Sequence, residues 1–233
     1  MKTISNHCIF LDLDHTLLET QDSMNEFLSV IKQKNKLNPS ILRRLYHINT
    51  NSIKNCRIYN NKNKEFLDTK VKDLIDNDLW GITRPYLDEF LLFCRNYFKK
   101  VIVWSAGKRN YVLSLIDTLF KRVGYYPDYV FTYDHIKFND EGYVVKPLRQ
   151  IIKKINDPYV RIDNSFFIDD TFSTFEENIE NGILIPKYET KGIIKNFNKN
   201  DDCLNYLMDW FIEKNVIESY DIRKIYKKLF YDY

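Results

Sequence analysis

Residues 9–17 read Ile9-Phe10-Leu11-Asp12-Leu13-Asp14-His15-Thr16-Leu17, an apolar run that ends in two carboxylates set two residues apart. A continuous apolar run favours a strand buried on both faces, as in a parallel sheet. Ligands of open parallel sheets bind outside the carboxyl ends of the strands, and residues i and i+2 of an extended chain point the same way. Asp12 and Asp14 can therefore face one bound group or one metal ion, although aspartates after a strand also form ordinary turns.

A second strand, followed by a helix, is predicted around Ser105. Residues 101–104 form another apolar run, and Ser105-Ala106-Gly107 turn it into the helix. Ser105 thus lies at the carboxyl end of a strand, where a serine commonly caps the following helix. That structural role is compatible with a place in the same site. The apolar positions of the helix recur at helical spacing and are Tyr111, Val112, Leu115, Ile116 and Leu119.

Three more charged residues lie at predicted boundaries. Lys146 precedes Pro147, which suits the first turn of a helix. Asp169 and Asp170 end a third apolar run, Phe166-Phe167-Ile168. Neighbouring acids repel each other, and a nearby cation or a divalent metal ion relieves that repulsion. A lysine before a helix is usually solvated, so Lys146 is a candidate site residue only if it lies beside these acids.

The order Asp-x-Asp, Ser, Lys and Asp-Asp at successive strand ends resembles the haloacid dehalogenase superfamily. A closer resemblance is to the phosphatases that act on the C-terminal domain of RNA polymerase II, which include the small phosphatases and the NLI-interacting factor-like proteins. It extends from about Ile9 to about Trp210, with a poorly matching stretch from Glu19 to Leu79, and implies an α/β, Rossmann-like fold. In that fold a parallel central sheet is flanked by helices, with a small hairpin insertion and no large cap domain. The segments that carry the resemblance are Arg84-Pro85-Tyr86-Leu87-Asp88-Glu89-Phe90-Leu91, Asp169-Asp170-Thr171-Phe172-Ser173-Thr174-Phe175 and Asn181-Gly182-Ile183-Leu184-Ile185.

The resemblance implies a phosphomonoester hydrolase that acts through an aspartyl-phosphate, with serine or threonine phosphates of proteins as substrates. Asp12 would be the nucleophile, and Asp14 the general acid that protonates the leaving oxygen and then activates water. Ser105 and Lys146 would bind the oxygens of the transferring phosphoryl group. Asp169 would orient Lys146.

The resemblance also implies Mg²⁺ as the cofactor. An oxygen of Asp12, the backbone carbonyl of Asp14 and the carboxylate of Asp170 would hold the ion, because magnesium prefers oxygen ligands. The chain departs from the family pattern at His15 and at Trp104-Ser105, which replaces the commoner Phe-Thr. Neither departure removes a reacting group.

Composition limits the class of protein. The 233 residues are 44% apolar and 15% aromatic, which excludes a disordered chain and allows one α/β domain with a full core. We expect a single phosphatase domain over residues 1–233, with a catalytic core at about 5–212 and a tail helix at about 220–231. A net charge of +3 is too mild to indicate direct binding of nucleic acid.

The remaining patterns concern compartment and partners. No spacing typical of a zinc site links the cysteines, which are expected to be reduced and are Cys8, Cys56, Cys94 and Cys203. Residues 1–8 lack a long apolar segment, and no apolar run reaches the roughly 18 residues of a membrane span. We therefore expect a soluble, intracellular protein of the cytoplasm or nucleus, without a membrane partner. Its expected partner is a phosphoprotein or phosphopeptide, with the C-terminal domain of RNA polymerase II as one candidate.

The segment from Glu19 to Leu79 is the least informative. It predicts a helix over 24–31, a second helix opened by Pro39 and a hairpin around residues 60–63. Its many Asn and Lys residues fit biased composition better than a binding surface, and the same holds for Arg43, Arg44 and His47. Farther along, residues 129–143 predict a hairpin around Asn139-Asp140-Glu141-Gly142.

The C-terminal residues predict an amphipathic helix. Apolar side chains recur at i, i+3, i+4, i+7 and i+8, and they are Ile222, Ile225, Tyr226, Leu229 and Phe230. We expect this stripe to dock on its own domain or to pack across a homodimer. Binding of a separate partner is the alternative.

Two other functions compete with that of a protein phosphatase. A polynucleotide 3′-phosphatase, or another phosphatase of small molecules, also uses Asp-x-Asp in this superfamily; the polynucleotide enzymes are commonly fused to a kinase with a Gly-rich loop, which this sequence lacks. A non-catalytic binding module is known in the same fold family, but that protein carries a presequence and a membrane span. Turnover of a phosphoserine peptide compared with that of a 3′-phosphorylated oligonucleotide separates the two enzymes.

Overall fold

The computed structural model describes residues 4–22, 29, 32, 37–50, 78–191, 196–197 and 200–227. The strands in this part are β1 (Cys8–Leu11), β2 (Leu18–Gln21), β3 (Leu45–Asn49), β4 (Asp78–Thr83), β5 (Lys100–Trp104), β6 (Tyr129–Phe131), β7 (Lys137–Phe138), β8 (Val144–Val145), β9 (Ser165–Asp169) and β10 (Gly182–Leu184). The α-helices with described bounds are α1 (Pro39–Arg44), α2 (Leu87–Tyr97), α3 (Arg109–Arg122), α4 (Leu148–Ile155), α5 (Cys203–Phe211) and α6 (Lys214–Ile217).

Five parallel strands make the central sheet, in the order β10-β9-β1-β5-β6. β1 lies in the middle, with β9 on one side and β5 on the other. The chain segments that follow these three strands therefore meet at one edge of the sheet. This arrangement confirms the predicted α/β fold with a parallel central sheet.

The side chains of β1 alternate between two cores. Ile9 and Leu11 pack with residues of α2, α3 and α5 on one face. Phe10 packs on the other face with α4 and with Trp104 and Phe167, whose rings stack at 5.7 Å between centroids. Burial on both faces explains why the strand is continuously apolar, since each such side chain contributes about 1.5–3 kcal/mol when it leaves water.

A three-stranded antiparallel sheet in the order β2-β4-β3 is inserted between β1 and α2. It carries part of a third, smaller core that includes Ile41, Trp80 and Ile82. The helix opened by Pro39 is confirmed as α1. The predicted hairpin around residues 60–63 lies outside the described residues, as does most of the predicted helix at 24–31. Within the described part no insertion forms a large cap domain.

Two buried charged side chains fix loops near the edge of the sheet. The Arg84 guanidinium donates from Nε to Asp201 Oδ1 at 2.9 Å and from Nη1 to the carbonyl of Thr16 at 3.0 Å. The Glu19 carboxylate accepts from the backbone N–H groups of Thr190 at 2.6 Å and Lys191 at 2.9 Å. Charge-assisted hydrogen bonds of this kind offset the cost of burying the two groups.

The hairpin near residue 140 is present, but its strands are not the ones that the sequence predicts. Its turn is where the sequence indicates, with Gly142 in the left-handed region at φ 84°. The paired strands, however, are β7 and β8, whereas β6 is an edge strand of the central sheet. The prediction was therefore wrong for residues 129–131 and right for the turn.

The predicted tail helix is wrong over the residues that the structure describes. Residues 222–224 form a single 3₁₀ turn, and Ile225 is extended at ψ 131°. Asp221 caps this turn, and the N–H of Ile222 donates to the carbonyl of Asp163 at 2.8 Å instead of to an α-helical partner. The expected docking is confirmed for Ile222, which is fully buried in the main core, while residues 228–231 lie outside the described residues.

Cys8, Cys94 and Cys203 are free and buried thiols, as predicted, whereas Cys56 lies outside the described residues. In the described part of the chain, helices are too short or too polar to cross a membrane. The expectation that residues 1–233 form one domain stays a prediction.

Docking of the tail predicts a loss of stability in Ile222→Ala. Truncation of a buried isoleucine costs about 2–5 kcal/mol in lost burial and cavity formation. Thermal and urea unfolding measure this loss. Tyr226→Ala is the matched control, because that side chain is 79% exposed. Equal stability of the two variants would contradict docking of the tail.

The burial of His7 predicts that the free energy of unfolding falls in acid. Burial lowers the pKa of His7 below its ordinary value of 6.5, and the hydrogen bond to the carbonyl of Ser219 only partly offsets that effect. The unfolded chain therefore takes up the proton more readily, and the stability is fully present above pH 6.5 and is lost as the pH falls below it. Urea unfolding of wild type and His7→Asn at pH 7.5 and pH 5.5 checks this: the variant should lose less stability between the two conditions than the wild type. An equal loss would contradict the role of His7.

Candidate active site

The predicted site residues lie at the carboxyl edge of the central sheet. Asp12 follows β1, Asp169 ends β9 with Asp170 directly after it, and Ser105 follows β5. Since β1 pairs with both β9 and β5, these side chains start from neighbouring positions. Lys146 follows β8 and reaches the same edge from the hairpin.

Lys146 joins two of the carboxylates. Its ammonium group donates to Asp12 Oδ1 at 2.6 Å and to Asp169 Oδ2 at 2.7 Å, and the side chain is only 2% exposed. Burial alone would lower the pKa of Lys146, but the charges of Asp12 and Asp169 more than compensate and raise it. The lysine is therefore a buried cation, in contrast to the solvated surface lysine that its sequence context usually indicates.

Hydrogen bonds also fix the backbone around Lys146. Its N–H donates to the carbonyl of Thr174 at 3.1 Å. The buried side chain of Asn178 donates to the Lys146 carbonyl at 3.3 Å and accepts from the N–H of Leu148 at 2.9 Å. Helix α4 begins at Leu148, with Pro147 just before it. These contacts explain why a lysine between a strand and a helix points inward.

The two carboxyl groups that bind Lys146 have pKa values raised by burial. Burial raises the pKa of Asp12 and that of Asp169 to about 6, with the charge of Lys146 opposing the shift in both cases. Asp169 also accepts from the N–H of Thr171 at 2.9 Å. Both oxygens of Asp169 thus have partners within the protein, and this fixed carboxylate is in a position to orient Lys146.

An oxygen-lined group suited to a divalent cation is present. Asp12, Asp169 and Asp170 each offer a carboxylate oxygen, and these atoms lie within 4.8 Å of one another. Asp12 Oδ1 accepts from Lys146, Asp170 Oδ1 accepts from Thr16, and both oxygens of Asp169 have partners, so the choice of Asp12 and Asp170 as the metal ligands stays a prediction. A purely oxygen donor set fits Mg²⁺. Asp14 adds no side-chain oxygen to the group, and its backbone contact with a metal stays a prediction.

Asp14 is held by a tyrosine that the sequence analysis assigned only to a helix core. The Tyr111 hydroxyl donates to Asp14 Oδ1. Burial raises the pKa of Asp14, and this hydrogen bond opposes the shift. The spacing of apolar residues in α3 placed Tyr111 on the core face, but no sequence pattern linked its hydroxyl to Asp14.

Ser105 is buried and has a local partner. Its Oγ accepts from the N–H of Gly107 at 2.9 Å, and its own N–H donates to the carbonyl of Phe131 at 3.1 Å. Helix α3 begins only at Arg109, so Ser105 does not have the capping role that is common for a serine at such a position. Among the described residues the Ser105 hydroxyl acts only as an acceptor, so its hydrogen is available to a ligand.

His15 and Asp170 are positioned by neighbouring loops. His15 has a left-handed backbone at φ 60°, and its carbonyl accepts from the N–H of Tyr188 at 2.7 Å. The Thr16 hydroxyl donates to Asp170 Oδ1 at 3.1 Å. Arg44, which the sequence analysis attributed to biased composition, donates to the Tyr188 hydroxyl at 2.5 Å. These contacts join the segment after β1 to residues far along the chain, which no local motif predicts.

Two of the solved structures that match this chain are forms of one enzyme and have similar folds. Fcp1, an essential RNA polymerase II CTD phosphatase, is similar with a TM-score of 0.53 and 16% identity over 88% of this chain and 46% of Fcp1. A variant of fission yeast Fcp1 bound to beryllium fluoride is similar with a TM-score of 0.54 and 18% identity, over 88% of this chain and 49% of the other. The chain thus spans about half the length of these proteins. At these identities the likeness shows the fold.

No curated protein matches the chain. A family model does: the one described as NLI interacting factor-like phosphatase matches residues 7–223. The match includes all of the strand ends described above and most of the chain. By this match, together with the site assembled around Lys146, the chain belongs to the family of NLI interacting factor-like phosphatases.

Proposed function

We propose that this chain is a magnesium-dependent protein serine/threonine phosphatase that acts through an aspartyl-phosphate on Asp12. The observation that carries the proposal is the buried cation Lys146, held between Asp12 and Asp169 at the edge of the sheet. A nucleophilic carboxylate must be fixed in one orientation and kept ionised, and a buried ammonium group at 2.6 Å does both.

The reaction divides between two carboxylates. A carboxylate oxygen of Asp12 attacks phosphorus, and the bond from phosphorus to the serine or threonine oxygen breaks. Asp14 gives its proton to that leaving oxygen. Asp14, now ionised, then takes a proton from water as the water attacks the aspartyl-phosphate. Inorganic phosphate leaves, and Asp12 is regenerated.

Three groups would balance the charge of the transferring phosphoryl group. Lys146 supplies a fixed positive charge and Ser105 a hydroxyl donor, and donors of this type act best when they are already in place. Mg²⁺ held by Asp12 and Asp170 would supply further positive charge toward the phosphoryl oxygens. Phosphate monoesters are among the slowest substrates to hydrolyse in water, so several such contributions are required.

The proposed substrate is a phosphorylated segment of a protein. Exposed aromatic side chains surround the hairpin β7–β8 and the turn after Asp170, which suits an extended peptide better than a small metabolite enclosed under a cap. Family membership and the likeness to Fcp1 make the C-terminal domain of RNA polymerase II one candidate. The aromatic side chains concerned are Tyr133, Phe138, Tyr143 and Phe172.

Asp12→Asn should abolish hydrolysis of a phosphoserine peptide, because an amide cannot form the acyl phosphate. Removal of Mg²⁺ by a chelator should have the same effect on the wild type. Steady-state release of phosphate measures both, with circular dichroism as a check of folding. The conservative substitution Asp163→Asn, at a partly exposed acid that pairs with Arg161, is the matched control and should retain activity. Substantial turnover by Asp12→Asn would rule out the aspartyl-phosphate mechanism.

The same assay separates the competing enzyme activity. We expect the wild type to hydrolyse the phosphoserine peptide in preference to a 3′-phosphorylated oligonucleotide. The reverse preference would favour a polynucleotide 3′-phosphatase.

Lys146→Met should reduce turnover by roughly 10²-fold or more, as is typical when a charge stabiliser of the transition state is removed. It should also destabilise the fold by about 3–5 kcal/mol, because Asp12 and Asp169 lose their buried counter-charge. Phosphate release and thermal unfolding measure the two effects, and Lys153→Met, at an exposed lysine of α4, is the matched control.

A double variant separates catalysis from folding. Adding Asp169→Asn to Lys146→Met removes one of the two acids, so thermal stability should be partly recovered while activity stays lost. Recovery of activity along with stability would show that Lys146 has only a structural role.

A further inference from the structure

Within the part of the chain that the structure describes, Tyr111 is the one residue that donates a hydrogen bond to the Asp14 side chain. The Tyr111 hydroxyl donates to Oδ1 of the carboxylate. The other oxygen, Oδ2, has no hydrogen-bond partner among the residues that the structure describes, and Asp14 is half-buried at the open edge of the sheet. The bond to Tyr111 therefore fixes one oxygen and leaves the other to face a ligand.

The Tyr111 hydroxyl is itself part of a chain. Thr20 Oγ1 lies 2.5 Å from the Tyr111 hydroxyl and 2.7 Å from the hydroxyl of Tyr46. Oδ1 of Asp14 accepts from Tyr111 both when the carboxylate is ionised and when the group carries its proton on Oδ2, so the proton of Tyr111 points to Asp14. The proton of Thr20 then points to Tyr111. The Tyr46 hydroxyl has two acceptors within reach, Thr20 Oγ1 at 2.7 Å and the carbonyl of Glu19 at 3.2 Å. Thr20 and Tyr111 thus donate in the direction of Asp14, and such chains of hydrogen bonds strengthen each member by polarisation.

The antiparallel sheet has a glycine at the position that this chain of hydroxyl groups crosses. Thr20 of β2 and Tyr46 of β3 both lie opposite Gly81 of β4, which separates them in the sheet. A Cβ atom on Gly81 would overlap with the Tyr46 ring and with the carbonyl of Glu19. Because Gly81 has no side chain, Tyr46 crosses the middle strand and reaches Thr20. The three-stranded sheet therefore places the hydroxyls of Thr20 and Tyr46 beside the hydroxyl of Tyr111 on α3.

We propose that Tyr111 is a positioning residue for Asp14, and that the chain Tyr46, Thr20, Tyr111 holds the carboxyl group so that Oδ2 meets the leaving oxygen of the substrate. The inference rests on the proposed function, in which Asp14 protonates that oxygen. It assigns a catalytic purpose to the three-stranded sheet, beyond its packing and the loop that Glu19 binds.

The expected signature is a dependence on the leaving group. A serine alkoxide is a poor leaving group and needs its proton, whereas the phenolate of an activated aryl phosphate leaves without one. Loss of the Tyr111 hydroxyl should therefore impair hydrolysis of a phosphoserine peptide far more than that of p-nitrophenyl phosphate. A general structural disturbance would slow both substrates alike.

The experiment compares kcat/KM for these two substrates in Tyr111→Phe, Thr20→Val, Asp14→Asn and the wild type. General acid catalysis contributes typically 10²–10⁴-fold, so we expect Tyr111→Phe to lose about 10-fold or more on the peptide and less than about threefold on the aryl phosphate. Thr20→Val should shift the ratio in the same direction by less. Tyr125→Phe is the matched control: it removes a hydroxyl that donates to the carbonyl of Leu91 at 2.7 Å, away from the site, and should leave the ratio unchanged.

The outcomes separate this inference from the function on which it rests. An unchanged substrate ratio in Tyr111→Phe, with Asp14→Asn showing the full dependence on the leaving group, would overturn the role of Tyr111 alone. An equal loss on both substrates would also overturn it. Asp14→Asn without any such dependence would overturn the acid role of Asp14 and the inference with it. Melting temperatures of all variants verify that each one is folded.

Discussion

The ion triad of Lys146, Asp12 and Asp169 is the interaction on which the rest of the site depends. It places three charges in the interior, where each is costly unless it is paired, and its contacts of 2.6 and 2.7 Å supply that pairing. The triad links the ends of β1 and β9 to the hairpin β7–β8. It therefore sets the orientation of the proposed nucleophile and the position of the hairpin at the same time.

Much of the fold could be predicted because its signals are local. The apolar runs of β1, β5 and β9 are continuous, since their side chains alternate between two buried cores, and the acids at the ends of β1 and β9 mark the edge where the site lies. Asp12, Asp169 and Asp170 could be located in this way, as could Ser105 and Lys146 at predicted element boundaries, and the resemblance to a phosphatase family implied their roles. Their proximity follows from the order of strands in the sheet.

Other features depend on contacts between distant residues, which no local pattern carries. Thr20, Tyr46 and Tyr111 meet only because β2 and β3 are in register on either side of Gly81. Glu19 binds a loop more than 170 residues away. At the tail, a clear local pattern predicted a helix that does not form. Within the described residues, the N–H of Ile222 donates to Asp163 and the backbone at Ile225 is extended. Tertiary contacts there outweigh an intrinsic preference that is weak over so short a segment.

The central claim is that phosphate passes through Asp12, and trapping the intermediate tests it most directly. The enzyme would be mixed with a phosphorylated substrate in the presence of Mg²⁺, quenched in acid within one turnover and digested, and the phosphorylated peptide would be sequenced by mass spectrometry. The account predicts an acid-stable, base-labile phosphoryl group on Asp12, which is lost from Asp12→Asn. A phosphoryl group on any other residue, or rapid turnover with no trapped phosphoenzyme, would contradict it.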